Sequence, residues 1–351
     1  MIRKLAIAVV VLLILGLLVA AAAARWAWTA IHEPWGSAAA EAFVVEPGTS
    51  ARSILDGLEA RGLLRDARLA RLWLVHRLGD PPLLAGEYRF DEPLSTPGVL
   101  DKLIRGEVVT YPVTLIEGLT LDEAAEALAA AGFGDVEVFR REMERTELIA
   151  DLDPDATRLE GYLYPDTYHF ARGTSEAEVV STLVRTFRSR FERDVAPLLS
   201  GSDLGVRGVV TLASIVEKET QRDDERTLVA SVYANRLRIG MGLYADPTII
   251  YAKKLAGTWD GNLRRPDLKL DSPYNTYVVP GLPPGPICSP TVASMVAALR
   301  PADSEYLYFV SRNDGTHVFS RTLAEHNRNV YVWQKKYWRD RWAREGRSSG
   351  G

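Results

Sequence analysis

The feature that most constrains this chain is an apolar run from Leu5 to Ala24, twenty residues without a charged side chain. As an α-helix, a run of this length spans about 30 Å, the thickness of the hydrocarbon core of a bilayer. The run therefore predicts a transmembrane helix at 5–24. A cleaved signal peptide is the alternative, because the alanines at 20–24 offer a cleavage site, but its apolar region is usually only about 7–15 residues long.

The residues beside the run predict its orientation. Arg3 and Lys4 precede it, which favours a cytoplasmic N-terminus at 1–4, and Trp26 and Trp28 follow it as an interfacial aromatic anchor. The bulk of the chain would then lie outside. The absence of paired cysteines fits the periplasmic side of a bacterial inner (plasma) membrane.

Composition excludes several classes of function. The 46 acidic and 42 basic side chains give a net charge of −4, so the chain lacks the electrostatic footprint of a nucleic-acid-binding protein. Its one cysteine, Cys288, cannot form an internal disulfide, and its five histidines show no metal-ligand spacing. We expect neither a metal nor a cofactor.

A linker predicted at 25–40 leads into a small module at 41–108. The module reads as a strand in FVVEPG, a first helix, a second helix from Asp66 to Leu78, and a returning strand in AGEYRF. Its order is therefore β-α-α-β. The inward face predicted for the second helix consists of Leu69, Leu72, Trp73 and either Val75 or His76.

The opening of this module recurs seventy residues further along the chain, where Gly48 and Gly62 align with Gly118 and Gly132. Four identities over twenty positions leave two interpretations open. One is an internal duplication, and the other is two unrelated strand-turn-helix units that share capping rules. Residues 109–200 are interpreted as an intermediate region of helices and strands.

Aromatic and acidic side chains concentrate in EGYLYPDTYHF at 160–170. An ordinary core strand is one interpretation of this segment. The alternative is a carbohydrate platform, in which rings such as Tyr164 stack on the C–H faces of sugars and Asp166 bonds a hydroxyl group.

The helix VVTLASIVEKET, predicted from Val209 to Thr220, is apolar or small on nearly all sides, which is typical of a buried helix. It ends in two glutamates. Glu217 shares a face with Ser214, whereas Glu219 points the other way, so the two carboxylates cannot serve one bond. Burial of Glu217 without a partner would favour its protonated form, as a general acid requires. An ordinary ion pair is the alternative.

Several ordered motifs follow one another from this helix to the C-terminus. They are ASIVEKET at 213–220, NRLRIGMGL at 235–243, DPTIIY at 246–251, YNTYVVPGLPPGPI at 274–287, and the H-x-F and HN pairs within 317–327. Together they closely resemble the MltG (YceG-like) endolytic murein transglycosylases. The resemblance covers nearly the whole chain.

The resemblance implies an α+β fold in three parts. A transmembrane helix precedes a LysM-like βααβ module at 41–108, and a mixed α/β catalytic domain with its core at 201–340 follows. A basic tail occupies 341–351. The aromatic and basic residues around this tail predict a docked terminal helix, with contact to anionic lipid as the alternative.

The resemblance also implies an activity, the endolytic and non-hydrolytic cleavage of the β-1,4 bond between MurNAc and GlcNAc. The products carry 1,6-anhydro-MurNAc ends, and the role is to trim or terminate nascent glycan strands. Glu217, the first glutamate of ASIVEKE, corresponds to the catalytic residue. One carboxylate suffices because the C6 hydroxyl of the sugar is the nucleophile and replaces the second residue of ordinary glycosidases.

The side chains predicted to bind the glycan are Tyr164, Asp166, Ser214, Tyr244, Asp246, Tyr274, Asn275, Thr276, His317 and Asn327. For Tyr274, Asn275 and Thr276 a plain turn is the alternative, and Asp246 is expected to cap the segment that follows it. Relatives usually carry glutamine at the position of Tyr244, where this chain would stack a ring instead.

Two other functions fit the same sequence. One is a membrane-anchored peptidoglycan-binding scaffold without catalysis, and the other is a murein hydrolase in which Asp166 or Asp246 is a second catalytic carboxylate. In each case the expected partners are peptidoglycan strands and the inner membrane. Peptidoglycan synthases and proteins of the divisome or elongasome are candidate protein partners.

Overall fold

The fold is given by a computed structural model that describes residues 2–36, 41–220, 222–339 and 341. The last part of the predicted linker, at 37–40, and the basic tail after residue 341 lie outside the described residues. The architecture is mixed α/β. The chain divides into two compact units, Met1–Tyr111 with His169–Gly173, and Pro112–Tyr168 with Thr174–Gly351.

The first unit begins with one long helix and continues with two short strands and three helices. These elements are α1 (Ile2–His32), β1 (Phe43–Val45), α2 (Ala51–Ala60), α3 (Ala67–Leu78), β2 (Gly86–Tyr88) and α4 (Thr96–Arg105). Strands β1 and β2 pair antiparallel, with Phe43 opposite Tyr88. The predicted β-α-α-β order is therefore present.

Helix α1 is longer than the predicted membrane span and is apolar enough to cross a membrane. Because it continues to His32, residues 25–32 of the predicted linker are helical. Ala30, near its end, is buried, and the carbonyl oxygen of Ala30 accepts a hydrogen bond from Oγ1 of Thr96 at 3.2 Å. This end of α1 is thus part of the first unit.

The inward face of α3 differs from the predicted one. The helix buries Ala67, Ala70 and Leu74, whereas Leu72 is 53% exposed. Asp66 caps the helix by accepting a hydrogen bond from the Leu69 amide at 2.8 Å. The small alanines let α3 pack closely on its neighbours, and a search for large apolar residues at helical spacing overlooks such a face.

The remaining strands and helices belong to the second unit, apart from Tyr111, His169 and Phe170, which belong to the first. They are β3 (Tyr111–Thr114), α5 (Leu121–Ala130), α6 (Val136–Glu142), β4 (Thr167–Phe170), α7 (Glu176–Asp194), α8 (Val206–Glu219), α9 (Asp223–Arg238), α10 (Asp246–Leu255), α11 (Val292–Leu299), β5 (Tyr308–Ser311), β6 (His317–Ser320) and α12 (Leu323–Val330). Strand β3 pairs with β4, and β5 forms an antiparallel hairpin with β6.

The recurrence seen in the sequence is also present in the structure. Helices α2 and α5 begin and end seventy residues apart, after the equivalent N-caps Ser50 and Thr120. Gly48 and Gly118 in the preceding turns have left-handed φ angles of 81° and 75°. Two helices of equal length after similar capped turns share such an offset in either case, so both interpretations remain open.

Helix α8 is the centre of the second unit. Its residues from Val209 to Glu217 are buried, and it packs against α9, α10 and α11. The helix ends at Glu219, because Thr220 adopts an extended conformation. The chain after α12 continues as a π-helical segment, Tyr331–Lys336, whose Gln334 donates a hydrogen bond to the Ser311 carbonyl oxygen at 3.0 Å. The C-terminal segment therefore docks on the β5–β6 hairpin.

Candidate active site

A cleft of about 650 Å³ opens in the second unit where the ends of several elements meet. Its lining comes from the last residue of α8, the C-terminal half of α9, the connection from α9 to α10, the start of α10, the 270–290 loop, β5 and α12. The lining residues are Glu219, Tyr233, Arg236, Met241, Tyr244, Asp246, Tyr277, Tyr308, Phe309, Leu323 and His326.

Glu219 supplies the cleft with a carboxylate that titrates near neutral pH. Burial raises the pKa of Glu219 to about 7, and the negative charge of Asp246 acts in the same direction. The Tyr233 hydroxyl, which donates a hydrogen bond to Oε1 of Glu219 at 2.8 Å, lowers this pKa, and so does the charge of Arg236. Both protonation states of Glu219 are therefore populated at neutral pH, which suits an acid that must also act as a base.

Arg236 brings a positive charge to the same cleft. Its Nε donates a hydrogen bond to the Leu307 carbonyl oxygen at 2.7 Å, and Nη1 donates to the Leu243 carbonyl oxygen. The guanidinium lies 5.5 Å from the centre of the Tyr308 ring and 5.8 Å from that of Tyr244. These contacts fix the cation in the wall of the cleft, so its charge remains close to any anion that forms there.

Aromatic rings form most of the remaining walls. The Tyr244 and Tyr277 rings are 5.3 Å apart, and Tyr308 stacks on His326 at 5.2 Å with an interplanar angle of 26°. Burial and the charge of Arg236 lower the pKa of His326, which keeps the imidazole neutral. Flat apolar faces beside hydroxyl and carboxylate groups suit a sugar chain, because its rings present both C–H faces and hydroxyls.

Tyr244, which lines the cleft, has an unusual backbone conformation. Its φ angle of 48° lies in the left-handed region, which a bulky side chain rarely adopts. The Tyr244 amide donates a hydrogen bond to the Thr276 carbonyl oxygen at 3.3 Å. Although the left-handed conformation is energetically unfavourable for tyrosine, the Tyr244 side chain is 43% exposed, so burial does not compensate for it. Strain of this kind concentrates at binding sites.

A family model described as the YceG-like family matches residues 43–332 of this sequence. The chain belongs to the YceG-like family. The family resemblance read from the motifs is thus confirmed.

Relatives of this YceG-like chain are found among curated proteins and solved structures. The endolytic murein transglycosylase of Bacillus subtilis (strain 168) is 29% identical over 309 residues, which cover 81% of this chain and 82% of that protein. The endolytic murein transglycosylase of Streptococcus pneumoniae D39 is 29% identical over 319 residues, but the match covers only 57% of it against 82% of this chain. A crystal structure of a YceG-like protein from Listeria monocytogenes superposes with a TM-score of 0.56 at 31% identity, over 82% of this chain and 97% of that one.

Glu217 of the YceG-like chain does not line the cleft, in contrast to the expectation from the motif. Its side chain is 1% exposed, and Oε2 accepts hydrogen bonds from the amide and the hydroxyl of Thr291, each at 2.7 Å. Oε1 has no hydrogen-bond partner among the described residues and lies 3.7 Å from the Arg226 guanidinium. Glu217 therefore holds α8 to Thr291, the N-cap of α11. The two glutamates do point in opposite directions, but the one that reaches the cleft is Glu219.

Of the predicted glycan-binding residues, Tyr244 and Asp246 line the cleft. Asp246 is the first residue of α10 and accepts a hydrogen bond from the Tyr277 hydroxyl at 2.7 Å. The N-cap of α10 is Ala245, without a side-chain capping bond, so the capping role expected of Asp246 is wrong. The bond from Tyr277 to Asp246 ties the 270–290 loop to the mouth of the cleft.

Three other predicted residues are buried and structural. The Ser214 hydroxyl donates to the Thr211 carbonyl oxygen and accepts from the Ile287 amide. Asn275 donates to two backbone carbonyl oxygens of its own loop, and Thr276 accepts from the Ala245 amide at 3.0 Å. These contacts shape the loop that carries Tyr277.

The remaining predicted residues lie away from the cleft lining. Tyr164 lies under the guanidinium of Arg190, which is also 3.4 Å from Asp166. The Tyr274 ring packs against Tyr251 at 4.9 Å. His317 is held by Glu225 at 2.7 Å, and Asn327 is exposed on α12. Other residues replace them in the cleft.

The sequence interpretation missed Tyr233, Arg236, Tyr277, Tyr308 and His326 as cleft residues. Three of them carried a usable signal, since Arg236 lies within NRLRIGMGL, Tyr277 within YNTYVVPG and His326 within the closing HN pair. Tyr233 and Tyr308 carried none, because tyrosines in a helix and in a strand are most often core residues.

Proposed function

We propose that this chain is an endolytic peptidoglycan lytic transglycosylase with Glu219 as its general acid and base. It cleaves the β-1,4 bond between MurNAc and GlcNAc without water and leaves 1,6-anhydro-MurNAc ends. The observation that carries the proposal is the Glu219 carboxylate, which titrates at about 7 in the wall of an aromatic cleft. The names of the relatives support the substrate class.

The first half of the reaction uses the protonated form of Glu219. Its proton goes to the glycosidic oxygen as the bond to C1 of MurNAc breaks, so the GlcNAc leaves as an alcohol. Burial favours this neutral form, because a charged carboxylate loses hydration when it leaves water.

The second half uses the carboxylate that the first half produces. It takes the proton of the C6 hydroxyl, whose oxygen bonds to C1 and closes the anhydro ring, so the acid is regenerated and no water is consumed. A hydroxyl held within the same sugar can reach an effective concentration of about 10⁵ M or more. The Tyr233 hydroxyl and the charge of Arg236 stabilise the ionised Glu219 during this interval.

A conventional murein hydrolase is the second candidate, because Asp246 lines the same cleft. Such an enzyme needs a second carboxylate as nucleophile or as the base that activates water. Asp246 is already engaged by Tyr277 at 2.7 Å, which favours a role in shaping the cleft. The products distinguish the two enzymes, since an anhydro end is lighter than a reducing end by one water.

We further propose that α1 crosses the inner membrane with residues 1–4 in the cytoplasm, so that the catalytic unit acts on nascent strands outside. The module at 41–108 is proposed to be LysM-like and to hold the glycan. The proposed role is to trim or terminate new glycan strands. The proposed protein partners are peptidoglycan synthases or proteins of the divisome or elongasome.

The test compares Glu219→Gln with Glu217→Gln, both in the full chain, on purified peptidoglycan with mass spectrometry of the products. We expect anhydro ends from the unmodified chain and a loss on the order of 10²–10⁴-fold in Glu219→Gln, which cannot donate the proton. Glu217→Gln should still form anhydro ends. Loss of product in a folded Glu217→Gln chain, with near-normal product from Glu219→Gln, would reverse the assignment. Reducing ends from the unmodified chain would establish the hydrolase, and binding without any product would establish a scaffold.

A further inference from the structure

The end of α1 packs directly against other elements of the first unit. The His32 ring lies 4.0 Å from that of Trp28 within α1 and packs edge-on against Trp73 of α3 at 5.1 Å. Beyond the helix, the Trp35 amide donates a hydrogen bond to the Leu94 carbonyl oxygen at 3.0 Å. With the contact between Ala30 and Thr96 described above, these bonds hold the end of α1 against both α3 and α4.

These contacts between α1, α3 and α4 limit how far α3 can lie from the membrane. The apolar run ends at Ala24, and His32 follows eight residues later in the same helix. At about 1.5 Å per residue, His32 and its partner Trp73 lie about 12 Å beyond the hydrocarbon core, or less if the helix tilts. The headgroup layer itself occupies about 5–8 Å of that distance. Helix α3 is therefore within about one Debye length of the lipid surface.

The exposed face of α3 is basic and carries one large apolar side chain. The helix contains no acidic residue. Arg68, Leu72 and His76 follow one another on successive turns and are exposed, with Leu72 at 53%. Arg77 is also exposed and lies over the Trp73 ring at 5.4 Å. Such a face offers a lipid headgroup positive charges and one apolar contact.

The two acidic residues that flank α3 in the sequence are engaged by other groups. Asp66 caps the helix through the Leu69 amide, and Asp80 forms an ion pair with Arg71. Neither carboxylate is therefore free to neutralise Arg68 or Arg77, whose charges remain available to an external anion.

We propose that the face of α3 formed by Arg68, Leu72, His76 and Arg77 binds the anionic headgroups of the membrane that holds α1. Of the possible occupants, a lipid surface is favoured because the anchor places it beside this face and because its charge is complementary. The contact holds the first unit itself against the membrane, in addition to the anchor that α1 provides. The inference depends on the membrane location of α1 but not on the catalytic assignment.

The experiment measures the distance of α3 from the headgroups in the full chain. Leu72→Cys provides a labelling site, because the native Cys288 is fully buried and does not compete for the reagent. The fluorescently labelled chain is inserted into nanodiscs that contain headgroup-nitroxide lipid, with either phosphatidylcholine alone or a third of phosphatidylglycerol. We expect at least twofold stronger quenching with the anionic lipid, and loss of this difference at 0.5 M salt.

Charge reversal provides the matched comparison. Arg68→Glu with Arg77→Glu should abolish the gain in quenching, whereas Arg52→Glu with Arg105→Glu, at side chains that are 89% and 65% exposed, should preserve it. Thermal melting checks that each variant is folded. Quenching that is independent of lipid charge, or equal loss in both double variants, overturns the proposal. The proposal is also overturned if soluble glycan, or a second copy of the chain, shields the label in phosphatidylcholine nanodiscs.

Discussion

Tyr233 donates its hydroxyl hydrogen to Oε1 of Glu219 across 2.8 Å and so joins the middle of α9 to the last residue of α8 inside the cleft. Two effects act on the pKa of Glu219 in opposite directions. The hydrogen bond favours the ionised carboxylate, whereas burial favours the neutral acid. Their balance sets the pKa of Glu219 near the pH at which a reversible proton carrier is most effective.

Tyr233→Phe tests this balance through the pH dependence of the reaction. Removing the donor withdraws a contact that lowers the pKa of Glu219, so the pKa should rise. Because the first step needs the protonated acid, the decline of kcat/KM at alkaline pH should move to higher pH, with a lower maximum from poorer stabilisation of the carboxylate. Rates of anhydro-product formation across pH 5–9 measure the shift.

Tyr308→Phe is the control for that experiment, since this ring lines the same cleft without a hydrogen bond to Glu219. Its pH profile should keep the original midpoint. A Tyr233→Phe profile that keeps its midpoint, or moves toward acid, would contradict the assignment of Glu219.

Tyr244→Gly separates binding from stability at the strained position. Glycine adopts the φ of 48° without steric cost, so the variant should be more stable by up to about 1 kcal/mol in urea unfolding. It also loses the ring that faces Tyr277 in the cleft, so KM should rise roughly tenfold, as expected for the loss of about 1.4 kcal/mol of contact. Tyr244→Ala should show the same KM without the gain in stability. An unchanged KM in both variants would remove Tyr244 from the substrate site.

Local features of the fold could be predicted from the sequence. The second helix of the first unit, predicted from Asp66 to Leu78, is α3 at Ala67–Leu78 with Asp66 as its N-cap. The Thr-x-x-Glu patterns that begin at Thr120 and Thr322 are typical of capping boxes, and both form them. The opposite directions of Glu217 and Glu219 also follow from helical spacing alone. These features depend on residues within one or two turns of each other.

The choice between the two glutamates could not be made in that way. Which face of α8 opens into a cleft depends on Tyr277 and Tyr308, which lie more than fifty residues away in the chain. Arg236 was missed for a related reason, since arginine is usually exposed, and here the carbonyl oxygens of Leu243 and Leu307 compensate for its burial. Tertiary packing, which no periodicity encodes, decides both.

Thr291→Val tests the structural role assigned to Glu217. Thr291 is the N-cap of α11, and its hydroxyl also donates to Glu217 at 2.7 Å. The substitution removes both interactions, so we expect a loss of about 2–3 kcal/mol of unfolding free energy. Thr322→Val, at the equivalent N-cap of α12, removes a cap alone and should cost about 1 kcal/mol. Chemical denaturation of both variants measures the difference, and equal losses would contradict a structural contribution from Glu217.

Glu160→Gln addresses the pH dependence of stability. Glu160 is 3% exposed and accepts hydrogen bonds from the Tyr251 hydroxyl at 2.9 Å and from the Leu121 amide, yet burial raises its pKa to about 7. Its folded pKa thus lies above the unfolded value of 4.5. The folded state therefore binds a proton more tightly than the unfolded state does, and this difference stabilises the fold. The stabilisation is complete below the unfolded pKa and is lost as pH rises through the folded pKa. In Glu160→Gln, the urea midpoint should therefore fall less between pH 4.5 and 8 than in the unmodified chain. Some fall should remain, because Glu219 contributes with the same sign. A steeper fall in the variant would mean that Glu160 is ionised in the folded protein.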